Sequence, residues 1–141
     1  MAVPTGSGTE TIHSGLFEDV NSSATSIITG VAHHIYTVLS VIVCCKGVHA
    51  STNDVHLRIS GYDRVQPLTA SDITLAIWTA TLNSTFVWND KFSFFGTEPA
   101  ANTQVGAAAQ GTATAQYLKI STDATDCKVD VTVTFIDQDW T

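Results

Sequence analysis

Positive charge is scarce in this chain. It carries 6 Lys+Arg against 13 Asp+Glu over 141 residues, a formal net charge of −7. Binding to DNA or RNA depends on clustered Lys and Arg that neutralise phosphates. The nearest thing to a cluster is Arg58 with Arg64, so nucleic acid is not expected as a partner. Charge of either sign is thin: 13% of residues, where about 25% is usual. A free monomer of this size keeps more charge on its surface for solubility. The sparse charge and a mean hydropathy of +0.16 point to surface that a partner covers, and to a homo-oligomer.

Long apolar runs are also missing. The longest, residues 35–45, is interrupted by Thr37 and Ser40 and is too short to span a bilayer. The opening MAVPTGSGTETI has neither a basic segment nor an apolar one, so no signal peptide and no membrane are expected. The expected place of synthesis is a cytoplasm. Cysteine is limited to Cys44, Cys45 and Cys127. An odd count with a vicinal pair is a poor disulfide framework, and neighbours on a strand point to opposite faces. Three reduced thiols are expected. Helix formers never cluster over three turns.

What the chain has in quantity is Thr, Ser, Val and Ile, and β-branched side chains pack well on a pleated surface. Residues 1–8 read as an extended N-terminal arm with Pro4 blocking helix, and residues 9–141 as one β-sandwich domain. Strand-like runs then alternate with turn signals. Residues 9–20 give a first run, broken at Gly15, and residues 24–28 a short one closed by Gly30. Residues 33–46 are apolar on both faces, with Ile35, Leu39, Val41 and Val43 on one and Tyr36, Val38, Ile42 and Cys44 on the other. Such a strand is central, or its outer face meets another subunit.

Period-two alternation places Val55, Leu57 and Ile59, then Ile73, Leu75 and Ile77, then Val129, Val131, Val133 and Phe135 on an inner face. A turn around Pro67 separates the first two runs. A hairpin is predicted over residues 85–95, turning at Asn89-Asp90 and carrying Phe86, Trp88, Phe92, Phe94 and Phe95. Residues 97–112 form a small-residue segment without strand period. The fold class is all-β: a two-sheet sandwich, most simply an eight-stranded jelly roll, with an immunoglobulin-like sandwich as the alternative.

No catalytic, cofactor or metal site is read from the residues. His33 and His34 diverge on a strand, while His49 and His56 flank a turn, and no CxxC, HxH or HExxH spacing gathers three zinc ligands. Glu18-Asp19 and the pair Asp137 and Asp139 lack the EF-hand spacing. No serine sits in GxSxG, and Gly6-Ser7-Gly8-Thr9 lacks the lysine, the strand and the helix of a phosphate loop. The sequons at Asn21 and Asn83 carry no meaning without secretion. Trp78 or Trp88 could stack on a sugar ring, although rings in a sandwich more often fill its core. The expectation is therefore a protein that is not an enzyme and needs no cofactor.

The small-residue arm, the low-charge Thr-rich sandwich, the FVWNDKFSFFG segment and the terminal DCKVDVTVTFIDQDW strand together resemble small virion proteins of tailed bacteriophages. The likeness is strongest to the decoration (cement) proteins of their capsids. It implies a β-sandwich, usually a trimer, that bridges major capsid protein subunits on the outer capsid surface of the virion. It brings no catalytic residues. A −7 chain repelled by packaged DNA fits the outside of a shell. A tail- or fibre-associated receptor- or carbohydrate-binding module is the alternative.

Overall fold

The computed structural model describes residues 9–63, 70–97 and 115–139. The expected arm at 1–8, the turn around Pro67 and most of the segment 97–112 lie outside them. The described residues form nine strands and no helix: β1 (Glu10–Val20), β2 (Thr25–Thr29), β3 (His34–Gly47), β4 (Asp54–Asp63), β5 (Ala70–Thr79), β6 (Thr85–Trp88), β7 (Phe92–Phe95), β8 (Tyr117–Thr122) and β9 (Lys128–Asp139).

All pairings are antiparallel. The first sheet runs β1-β9-β3, with β6 and β7 both on the far side of β3, and the second runs β2-β8-β4-β5. If β6 and β7 count as one interrupted strand, there are eight, in the orders 1-8-3-6 and 2-7-4-5. Each sheet thus draws alternately on the two ends of the chain, which is the double Greek key of a jelly roll. The immunoglobulin-like alternative fails because β1 pairs with the last strand rather than with β2.

The predicted hairpin at 85–95 does not form. β6 pairs with Val41–Cys44 of β3 and β7 with Ile35–Val38, so the two segments lie end to end along one long neighbour. The break between them coincides with a register shift in β3 between Val38 and Ser40. The rings still alternate inward as expected. Phe86, Trp88, Phe92 and Phe94 stand opposite the inward-facing Val43, Val41, Val38 and Tyr36, and Phe95 points out.

That same shift corrects the faces expected for β3. A bulged residue turns every later side chain to the other face. Tyr36 and Val38 therefore share the inner face with Val41, Val43 and Cys45, while Ile42 and Cys44 face out. In β4 and β9 the alternation is unbroken, and Val55, Leu57, Ile59, Val129, Val131 and Val133 are buried as read, with Phe135 partly buried against them.

β5 departs from its reading. Ala76 stands opposite Leu57 and Thr74 opposite Arg58, so Leu75 is the extra residue of a bulge. Trp78 and Ala76 face inward, and Ile77 lies outside opposite His56, 55% exposed. Ile73 is 45% exposed because β5 is the last strand of its sheet. Of the three, only Leu75 packs against the core.

The two seams of the sandwich differ. At the β5–β6 seam Trp78 stacks on Phe86 with ring centroids 4.0 Å apart and planes 13° apart. At the β1–β2 seam the sheets part around an open cleft. The chain crosses itself tightly below that cleft: Gly30 N donates to Gln116 O at 2.7 Å and Gln116 N to Gly96 O at 2.9 Å. A Cβ on Gly96 would collide with the backbone of Val31, so glycine is required there.

These registers yield a paired test. Val131 is fully buried, so Val131→Asp places an uncompensated charge in the core at a cost of several kcal/mol. That is comparable with a whole domain's stability of about 5–15 kcal/mol. Circular dichroism is expected to show an unfolded chain. Ile77→Asp, on the outer face, is expected to stay folded with a melting curve close to the parent's.

Candidate functional site

The histidines and acids weighed in the sequence do not converge. His34 Nδ1 lies 2.6 Å from Asp137 Oδ1, and its Nε2 3.8 Å from Asp139 Oδ2. His56 Nε2 pairs with Asp123 at 2.8 Å across the β4–β8 side. His49 holds its own loop, accepting from the amide of Ser51 at 3.1 Å. His13 packs on Phe135, with ring centroids 5.3 Å apart. Among the described residues no three His, Cys, Asp or Glu side chains are grouped as a metal site. Trp78 is stacked on Phe86, and Trp88 meets Phe92 edge-on while its indole donates to Asp90 O. Neither indole is a free platform.

The thiols are all free, with Cys44 exposed and Cys45 and Cys127 buried. Burial pushes both buried thiols up, so they stay protonated and unreactive at neutral pH.

Between β1 and β2 the open cleft has a volume of about 390 Å³. Ile27, Ile28, Val31 and Phe135 wall it, with His13, Tyr36 and Asp137 at its polar side. Those polar groups are already engaged. The Tyr36 hydroxyl accepts from Val31 N at 3.1 Å and donates to Thr29 O at 3.4 Å, and Asp137 holds His34. Burial, and then the neighbouring Asp137 carboxylate, raise the Tyr36 hydroxyl above its ordinary value, so it stays a neutral phenol. The cleft offers apolar walls rather than an acid–base pair.

The larger feature is the outer face of the first sheet. The pairings lay its side chains out in rows across β1, β9, β3 and the β6/β7 line. One row is Ile12, Ile136, Thr37 and Ser93; the next is Ser14, Thr134 and Ser40; the next is Leu16, Thr132, Ile42 and Val87. None of these carries a charge. Ile35 and Phe95 continue the apolar surface beyond the first row. The hydroxyls bond to one another, Thr37 to Ser93 at 2.9 Å and Ser14 to Thr134 at 3.3 Å. Low charge in the composition signalled such a face. Its location was not readable, because it depends on four registers at once.

Charge begins at the margin. Lys46 Nζ lies 2.8 Å from Asp19 Oδ1 and 2.8 Å from Asp130 Oδ1, clamping β1, β9 and β3 where β1 bulges after Phe17. Asp19 sits there with φ 56, and its amide donates to Asp130. The hydrogen bond from Lys46 holds Asp130 below the usual carboxylate range, and its two carboxylate partners hold Lys46 above the usual ammonium range. The second sheet is unlike the first: Arg58 and Lys119 stand opposite each other on its outer face, with Asp72 3.6 Å from Lys119.

Two measurements follow. Alkylation without reductant is expected to label Cys44 quickly, and Cys45 and Cys127 only on unfolding. A protected pair that resists labelling even in denaturant would contradict three free thiols. For the clamp, a carboxylate held low stabilises the fold above its unfolded pKa and loses that effect as pH falls through its folded one. Lys46→Met is therefore expected to lower the melting temperature slightly at neutral pH, with the gap to the parent closing below pH ~4.

No protein-family model matches the chain, and no curated protein matches it in sequence. Among solved structures the chain is similar to one from infectious bursal disease virus, Gx strain, at 10% identity and a TM-score of 0.37. The match covers 92% of this chain and 37% of that one, so the chain spans little more than a third of its neighbour's length.

Proposed function

We propose that this chain is a structural β-sandwich of a virus particle: a capsid decoration (cement) protein that binds the major capsid protein on the outside of the shell. The observation that carries this reading is the uncharged outer face of the β1-β9-β3 sheet, three rows deep on a chain of net charge −7. An exposed patch of this kind marks a protein contact surface. The jelly-roll order supports the reading by analogy, since capsid domains use that architecture, as do lectins. The acidity of the chain favours the outer surface, away from packaged nucleic acid. Decoration of a tailed-phage capsid in particular, and a trimeric form, rest on the sequence resemblance.

The role is binding, not catalysis, and takes no cofactor. The carbohydrate-binding alternative needs an aromatic platform, and the two indoles considered for it are packed on Phe86 and Phe92.

Cosedimentation with shells of the corresponding capsid protein, purified free of this chain, tests the proposal. Saturable, stoichiometric binding is expected. Ile42→Lys and Val87→Lys, on the uncharged face, are expected to weaken it about tenfold each, the scale of one lost apolar contact. Arg58→Gln, on the opposite sheet, is expected to leave it unchanged. Binding that survives both lysines, or no binding to shells at all, would overturn the reading.

A further inference from the structure

A sandwich has four edge strands, and each presents unpaired backbone groups to any chain that can add to it. Three of the four are guarded here. β2 has five residues and a register shift between Ser26 and Ile28. β6 and β7 are four-residue pieces broken at 89–91. β5 is bulged at Leu75 and carries Asp72. β1 differs from all of them. It runs eleven residues, and from Thr11 to Phe17 it contains no charged residue, no proline and no register shift.

Its free side can be assigned. Asp139 N donates to Thr9 O, so Thr9 faces β9. By antiparallel alternation Thr11, His13, Gly15 and Phe17 bond to β9 as well. The amides and carbonyls of Ile12, Ser14 and Leu16 then point away from the sheet, where they meet no partner among the described residues. Two of these three residues are also the most exposed large hydrophobics described, Ile12 at 71% and Leu16 at 75%.

We propose that two copies of this chain join edge to edge through β1, antiparallel about a twofold axis at Ser14. In that register Ile12 stands opposite Leu16 of the second copy, and Leu16 opposite its Ile12. The two most exposed apolar side chains cover each other on the outer face. On the other face His13 stands opposite Gly15, which brings no side chain of its own to the contact. The pairing positions are all outward-facing, so every main-chain group brought to the contact has a partner. The self-complementary register, which sets Ile12 and Leu16 reciprocally against each other, selects a copy of this chain as the occupant, and the charge pattern permits it. A −7 molecule repels itself through most of its surface, and this seven-residue stretch brings no carboxylate against a carboxylate. Glu10 stands opposite Glu18 of the second copy at each end, outside the seven-residue stretch, where both side chains are exposed to water. An isologous contact closes at two copies, so this edge makes a dimer and not the trimer implied by the sequence resemblance. The inference stands apart from the capsid reading, because no particle enters its test.

Sedimentation of the full chain over the micromolar range, with two variants, decides it. The parent is expected to form dimers, with the amides of Ile12, Ser14 and Leu16 exchanging more slowly as concentration rises. Leu16→Lys puts a charge at an exposed position and is expected to weaken the dimer at least tenfold while leaving the melting temperature near the parent's. Ser14→Pro removes an amide that β9 does not use; it is expected to do the same, whereas His13→Pro should unfold β1. A parent that stays monomeric at the highest concentration, a trimer, or a dimer indifferent to both Leu16→Lys and Ser14→Pro would overturn the proposal.

Discussion

The ladder between β3 and β9 is the constraint on which the rest of this molecule depends. It runs from His34–Asp139 at one end to Gly47–Lys128 at the other, and it joins the longest early strand to the last. Val38, Val41, Val43, Val129, Val131 and Val133, all buried, come from these two strands and form the floor of the core. Every other member of the first sheet is attached to one of them: β1 to β9, and β6 and β7 to β3. The sheet cannot be completed until β9 has returned across the chain. Pairing this far apart in sequence must meet its loop-closure entropy before the valines are buried, which makes for slow folding. One irregularity of the first sheet follows the same ladder. The shift between Val38 and Ser40 lies beside the gap between β6 and β7, so the β6/β7 line breaks where β3 does.

How much of this was legible depended on whether alternation was continuous. In β4 and β9 a strict period of two identified the buried residues directly, and the strand rhythm carried the architecture. In β3 and β5 single-residue bulges reversed the faces, and no residue at Leu39 or Leu75 announces a bulge: both are ordinary strand formers. Asn89-Asp90 has turn chemistry, but turn chemistry alone cannot say whether two short strands pair with each other or with a common third. The uncharged face was visible only as a shortage of charge and as a strand apolar on both sides over residues 33–46. Its position required knowing that Leu16, Thr132, Ile42 and Val87, drawn from four separate stretches of sequence, share one row.

The two outer faces of the sandwich have different prospects for being covered. On the second sheet Arg58, Lys119, Asp72 and the His56–Asp123 pair are hydrated, and covering them would strip water from charges. Such loss is repaid only by well-placed opposite charges on the partner. On the first sheet the polar groups in the middle are hydroxyls whose bonds are made within the face, Thr37 to Ser93 and Ser14 to Thr134. A partner laid over these two pairs breaks neither bond, and covering neutral hydroxyls costs less desolvation than covering charges, so much of the apolar area it covers counts toward affinity. A face with this property is costly to keep in water and inexpensive to bury. The placement of charge at its margin, in the Lys46–Asp19–Asp130 clamp, makes the same division. The charges that hold the sheet together lie at its end, and the surface between them is neutral.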